Sequence, residues 1–315
     1  MIIYKSNMGD IVTKYNNSIV LELTGNRNVL STSIFNGGYS ENIKYVFNKQ
    51  EDMSSDINLK ADTYEEHLGI IAKELNLISE KSTGLSTAAS MDHVAIETQY
   101  YHDIEITAFI TAGTEVNAGR VGDKVTFDEL VNKIEYKSGT INIILNINAN
   151  IPPGIMARIL MTCTEAKTAA LQEMMIDSRY SNGLATGTGT DGVVIIGNND
   201  SKNYLTTAGK HSVFGEKIGK VVKKAVKDAL DMKCGSVKLV QRNIIRRGRR
   251  FGITEDYLFA EYNNLNNSIT KMEFQNLLYQ IHEDPNLLAM STSYFHIMDE
   301  LNYDLITEKS AYFAA

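Results

Sequence analysis

Tryptophan is absent from this chain of 315 residues, and only three prolines and two cysteines are present. Cys163 and Cys234 are too few and too far apart in sequence to suggest a disulfide framework or a metal knuckle, and Cys163 sits in an apolar helical pattern that predicts a buried thiol. Redox chemistry is therefore disfavoured. Long apolar runs are missing as well: no stretch approaches the roughly 18 uninterrupted apolar residues of a membrane span. The opening MIIYKSNMGDIVTK lacks the continuous apolar region and cleavage motif of a signal peptide. A cytoplasmic protein without membrane insertion is expected.

What is present is a hydrophobic content of 43%, enough for a sizeable core in one large domain or two modest ones. Charge is unevenly spread. From Phe251 onward ten acidic residues face two lysines, whereas residues 1–250 are nearly balanced. Just before that change, KLVQRNIIRRGRR (238–250) carries six positive charges and no negative one. With no interleaved aromatics and an acidic tail following at once, this run reads as a solvated strand or a partner for an acidic segment, and no nucleic-acid partner is expected. The predicted organisation is a main domain over residues 1–235, then a basic segment and an acidic, helical C-terminal extension over 236–315. Phe274, Leu277, Leu278 and Ile281 give that extension an apolar helical face.

Periodicity predicts a mixed architecture. SIVLEL (18–23) and NVLSTSIF (28–35) read as strands forming a hairpin through Thr24-Gly25-Asn26. Asp62-Thr63-Tyr64-Glu65 matches a helix start. HVAIET (93–98) and DIEITAFIT (103–111) lie too close in sequence for a helical crossover and should be antiparallel neighbours, while GTINIILNIN (139–148) and VVIIG (193–197) are apolar enough to be buried strands. Pro153 suits the first turn of a helix running to about Ile176, on which Arg158, Thr162 and Glu165 share a face. Residues 211–232 form a second amphipathic helix. The expected fold class is α+β: mixed, largely antiparallel sheets covered by helices, with a C-terminal helical appendage.

Two Gly-, Thr- and Asn-rich tracts, Ser82 to Asp123 and Ser181 to His211, place small and hydroxylated residues beside Asp92, Arg120, Asp123, Asp191 and His211. Backbone built from such residues can approach a ligand closely while polar groups converge on it. GTGTDG (187–192) lacks the Lys-Ser/Thr ending of a P-loop and precedes its strand, and NAGRVGD (117–123) opens no helix, so nucleotide sites of both kinds are disfavoured. GLSTA (84–88) lacks the second glycine of a nucleophile elbow. Asp92-His93 and His102-Asp103 have no HxH or HExxH spacing beside them, and no resident metal is assigned.

The succession VLSTSIFNGG (29–38), GLSTAASMDHVAI (84–96), FITAGTEVNAGRVGD (109–123), GTINIILNINANIPPGIMARILMTCTEAKTAALQEM (139–174), SRYSNGLATGTGTDGVVI (178–195) and LTTAGKHSVFGEKIGKVVKKAV (205–226) closely resembles the adenosylcobinamide amidohydrolase family, CbiZ, in the family's order. The resemblance covers roughly residues 12 to 235 and implies a hydrolase of corrinoid salvage. Proteins of this family cut the amide joining the aminopropanol arm to a propionate side chain of the corrin ring, converting adenosylcobinamide to adenosylcobyric acid. Cobalt then enters only as part of the substrate, and the sequence shows no required cofactor. The implied partner is a small-molecule corrinoid, and a homo-oligomer stays open.

Amide hydrolysis needs a nucleophile, a base, donors for the oxyanion and an acid for the leaving amine. Within the matched motifs Asp191, His211, Asp92 and Glu165 are the candidate acids and bases, and Ser86, Thr87, Thr111, Thr188 and Thr190 offer hydroxyls. Arg120 and Lys167 are suited to an oxyanion or a substrate phosphate, and Asn117, Asp123, Gly187 and Gly189 complete the expected binding set. The leading expectation is that His211 or Asp191 activates water, with N–H groups of Gly187 to Gly192 receiving the oxyanion, and that both share a pocket with the 117–123 loop. The bland reading is that His211 caps a helix and Asp191 fixes a turn. Two further readings stand beside it. One is a self-processing Thr hydrolase cut at Gly139-Thr140 or Gly187-Thr188. The other is a corrinoid carrier that binds without cutting, although the DxHxxG segment common in such carriers does not occur here.

Overall fold

The computed structural model describes residues 1–51, 59–124, 128, 130, 139–266 and 269–315. In chain order the elements are β1 (Ile2–Lys5), β2 (Ile11–Tyr15), β3 (Ser18–Glu22), β4 (Arg27–Ser31), β5 (Gly38–Ser40), β6 (Tyr45–Gln50), α1 (Tyr64–Glu74), β7 (Ser82–Thr87), β8 (Ala95–Tyr101) and β9 (Ile104–Ala112). There follow β10 (Ala118–Gly119), β11 (Ile141–Ile147), α2 (Pro153–Glu173), β12 (Gly187–Thr188), β13 (Gly192–Asn198) and α3 (Val213–Cys234). The chain closes with α4 (Val237–Val240), α5 (Ile244–Gly248), α6 (Glu255–Asn266), α7 (Lys271–Ile281), α8 (Pro285–Asn302) and α9 (Glu308–Ala314). Among the described residues no helix is long and apolar enough to cross a membrane.

Two sheets are stacked face to face. One has the order β1-β2-β3-β6-β7, the other β5-β4-β13-β11-β9-β8. Side chains alternate across each strand, so every inner strand feeds two cores at once. Ile144 of β11 with Val194 and Ile196 of β13 meets Ile19 and Leu21 of β3 between the sheets. Their neighbours Ile143, Leu145, Val193 and Ile195 turn the other way, onto α2 and α3. Val20 and Phe47 face outward beneath Leu68, Ile71 and Ala72 of α1. The layers therefore run α1, first sheet, second sheet, α2 with α3, an α+β fold whose strand pairs are antiparallel except β6–β7 and β11–β13.

The turn at Thr24-Gly25-Asn26 does not close a hairpin. It carries the chain out of one sheet and into the other, so β3 pairs with β2 and β6 while β4 pairs with β5 and β13. The hairpin at this end is β2–β3, turned at Asn16 and Asn17, whose φ values of 46° and 51° are those a two-residue type I′ turn requires. Local turn chemistry reads the same in a hairpin and in a sheet switch, so sequence alone does not separate them. Other expectations match: β8 and β9 are antiparallel neighbours, β11 and β13 are buried throughout, Thr63 caps α1 in a capping box, and Pro153 starts α2.

The crossover β11–α2–β13 brings two parallel strands side by side, and the segment that re-enters β13 is the Gly- and Thr-rich tract 186–192. This tract also adds the short ladder β10–β12, pairing Ala118 with Thr188 and Gly119 with Gly187. Two loops far apart in sequence are thereby joined at one end of the second sheet.

Candidate active site

At that end lies a largely buried ion pair. Lys167, on the buried face of α2 beside Cys163, Ala170 and Leu171, reaches the carboxylate of Asp191 just before β13, and their side chains are 10% and 12% exposed. The same carboxylate takes three further hydrogen bonds: Oδ1 from the Thr188 hydroxyl at 2.6 Å and from the Ile141 N–H at 3.0 Å, Oδ2 from the Thr188 N–H at 3.0 Å. Removing one member of such a pair leaves an unpaired buried charge, typically at a cost of ~3–5 kcal/mol. The approach depends on Gly187, because a Cβ there would stand 2.3 Å from Asp191 Oδ2 and 2.6 Å from Lys167 Nζ.

The wall around this group is made of hydroxyls and amides. Thr190 donates through its hydroxyl to the Gly139 carbonyl at 3.2 Å, and Thr140 donates to the Thr190 carbonyl at 2.7 Å. Asn117 donates to the Gly139 carbonyl at 3.3 Å and accepts from the Tyr180 hydroxyl at 2.9 Å, with Gly189 packed against its amide. The structure thus gathers Asn117, Lys167, Gly187, Thr188, Gly189, Thr190 and Asp191 in one place. Arg120 and Asp123 adjoin them across the β10–β12 ladder. The Arg120 N–H donates to Asp123 Oδ2 at 2.9 Å, and the Ser178 hydroxyl donates to the same oxygen at 2.5 Å. Burial alone would raise the Asp123 carboxyl, but hydrogen bonds from Ser178, Ser181 and the Arg120 backbone outweigh it and hold the group below the usual carboxylate range.

Thr111, Thr87 and Ser86 lie behind this wall. Thr111 is fully buried and accepts from Asn48 at 2.8 Å, and Asn142 bridges Asn48 Oδ1 and the Ser86 carbonyl, each at 2.8 Å. This amide chain spans the gap between the sheets and fixes Asn142, the ladder partner of Gly192, one residue beyond Asp191. Thr87 is also buried, accepting from the Ala89 N–H, while the Ser86 hydroxyl turns to the opposite face of its strand and meets Tyr64 of α1 at 2.5 Å.

Three sequence candidates lie elsewhere. Asp92 is 78% exposed in its side chain and pairs with Lys14, which holds its carboxyl low. Glu165 pairs with Lys210 at 2.9 Å on the surface. His211 is exposed beside that pair, and the cap of α3 is Ser212, whose Oγ accepts from the Gly215 N–H at 3.0 Å. Glu165 and Lys167 are two residues apart and so point roughly 200° away from each other around α2. The helix stands between His211 and Asp191, and the structure does not bring the two together. The Arg158–Thr162–Glu165 face is likewise divided: Thr162 is buried and donates to the Ala208 carbonyl at 3.0 Å.

Sequence reasoning missed Ser178 and Tyr180, which stand just before the second Gly-rich tract, and Tyr303, whose ring lies 5.3 Å from the Arg120 guanidinium carbon. The first two border a recognised motif and were open to detection; nothing in the sequence around Tyr303 points to Arg120. Among the described residues no three His, Cys, Asp or Glu side chains converge as a metal site would need.

Residues 4–237 match the family model described as adenosylcobinamide amidohydrolase. The chain is 36% identical over 228 residues to an uncharacterised protein of Methanocaldococcus jannaschii, covering 68% of this chain and 85% of that one. It is 30% identical over 221 residues to a protein of Methanosarcina mazei named adenosylcobinamide amidohydrolase, covering 68% of this chain and 94% of that one.

Proposed function

Since the chain belongs to the adenosylcobinamide amidohydrolase family, we propose that it hydrolyses the amide between the aminopropanol arm and the corrin side chain of adenosylcobinamide, yielding adenosylcobyric acid and 1-amino-2-propanol in corrinoid salvage. Cobalt belongs, in this reading, to the substrate. Residues 1–235 carry the activity.

The observation that supports a reacting group is the 2.6 Å hydrogen bond from the Thr188 hydroxyl to Asp191, a carboxylate fixed on its other oxygen by Lys167. A hydroxyl is a weak nucleophile until an adjacent base takes its proton. Here Asp191 accepts the Thr188 proton as Oγ1 attacks the amide carbon, then delivers it to the leaving nitrogen. The C–N bond breaks, aminopropanol departs, and an ester joins Thr188 to the corrin side chain. Water cleaves that ester, its proton passing through Asp191 back to Thr188, and the free acid is released. Lys167 holds the carboxylate in place and offsets the cost of burying its charge.

Incubation of adenosylcobinamide with the protein, followed by assay for 1-amino-2-propanol, tests the reading. Catalytic release is expected, with Thr188→Ala inactive and Thr188→Ser retaining turnover. A folded protein that releases no aminopropanol from a panel of corrinoids would falsify the hydrolase reading, and stoichiometric retention without release would favour a carrier.

A further inference from the structure

The family match ends at residue 237, yet the helices beyond it reach back to the site. They are anchored by the basic segment. Arg250, 4% exposed in its side chain, makes two 2.5 Å bonds to the Asp299 carboxylate of α8 and donates at 2.6 Å to the Asn182 carbonyl. Arg246 and Arg249 both hold Asp177 at 2.8 Å, and Phe295 of α8 stacks on Phe251 at 5.4 Å. Paired planar guanidinium–carboxylate contacts of this kind fix orientation as well as attraction. The end of α8 is therefore held in a set position over the 181–183 loop.

There it forms one wall of a cleft of about 460 Å³. Asp299, Asn302 and Tyr303 stand on one side; Arg120, Asn182 and Gly183 stand on the other. The Arg120 guanidinium lies over the Tyr303 ring and its Cδ would be 2.7 Å from a Cβ at Gly183. Arg120 is two residues beyond Ala118, the ladder partner of Thr188, which is about 7 Å along a strand. A ligand as broad as a corrin, engaged at Thr188, extends over that distance.

We propose that this cleft receives peripheral carboxamide arms of the corrinoid, so that the end of α8, outside the matched family region, supplies specificity-determining residues, Asn302 and the Tyr303 that caps it. The proposal rests on the hydrolase reading above. Carboxamides leaving water need both donors and acceptors, and the Asn302 amide, the Asn182 segment and the Tyr303 hydroxyl offer them. The Tyr303 ring stacked on Arg120 adds a flat face for the ring edge.

Steady-state kinetics of the full-length chain on adenosylcobinamide, with Tyr303→Ala and Asn302→Ala, provide the test. Both side chains are exposed at a helix end, so both variants should keep the wild-type circular dichroism spectrum. KM is expected to rise about tenfold in at least one variant with kcat nearly kept, the pattern of lost binding that is equal in ground and transition states. Wild-type turnover with KM unchanged in both variants overturns this proposal and leaves the hydrolase reading standing. Wild-type protein that neither cleaves nor retains a corrinoid overturns the hydrolase reading and this proposal with it.

Discussion

Asp10 and Asp191 both stand beside a glycine and pair with a cation, and they differ in what can reach them. Asp10 is sealed: Arg27 at 3.1 Å, the Thr24 N–H at 2.8 Å and Asn146 at 2.9 Å surround it, and both charged side chains are almost wholly excluded from solvent. Asp191 has an equally full set of partners, but one of them is the hydroxyl of Thr188, which is only partly buried. The first pair is expected to serve stability and the second chemistry. Arg27→Met should destabilise by ~3–5 kcal/mol in a denaturant titration, since it strands Asp10, while the surviving folded protein keeps its kcat. Asp191→Asn should lower turnover by roughly 100-fold or more, the scale of losing a general base. His211→Ala, across α2, should leave turnover close to wild type; a loss comparable to that of Asp191→Asn would return the histidine to the mechanism. Titration of Asp123 gives a further check. Its folded pKa lies below the ordinary value, so its contribution to holding the 117–123 loop is complete above pH ~3.9 and is lost as the pH falls through the lower folded value. Protection of the Arg120 amide proton, measured against its intrinsic exchange rate, should fall in that acid range in the native chain and lose this dependence in Asp123→Asn.

Elements were legible where one period or one cap decides them. The 22-residue α3 has a lysine-rich outer side and buries Phe214, Ile218, Val222, Ala225, Val226 and Ala229, a 3.6-residue pattern plain in the sequence. Its cap is Ser212 and not His211: the two are adjacent polar residues, and only the hydrogen bond to Gly215 identifies the serine. Ser212→Ala should therefore cost ~1 kcal/mol of stability, read as a lower denaturant midpoint at unchanged slope. The β2–β3 hairpin carries an Asn-Asn turn signal, and the β3–β4 turn carries a hairpin signal that the sheets do not use. Turn residues specify a local change of direction; which strand lies alongside afterwards is set by where each apolar face finds cover.

At the scale of the whole molecule, the four layers are complete before residue 236, and the later helices attach through Arg246, Arg249 and Arg250. Truncation after Arg250 should leave a folded protein whose circular dichroism keeps the signal of the sheets and of α1 to α3 and loses only that of α6 to α9, although Arg250 loses Asp299. An insoluble product would show that the extension is integral to the core. Composition and periodicity by themselves determined the α+β class, the buried strands, both long helices and the tracts from which the site is built, because burial and backbone conformation are local demands repeated along the chain. Tertiary structure alone decided which members of those tracts meet. Asp191 and His211 are twenty residues apart in similar sequence surroundings, and a helix backbone passing between them cannot be read from either one. Lys167, Thr188 and Asp191 converge because a parallel crossover returns β13 beside β11 under α2, and Tyr303 reaches Arg120 because arginines distant in sequence anchor α8. Contacts of this kind depend on the relative placement of packed layers, for which spacing along the chain carries no coordinate.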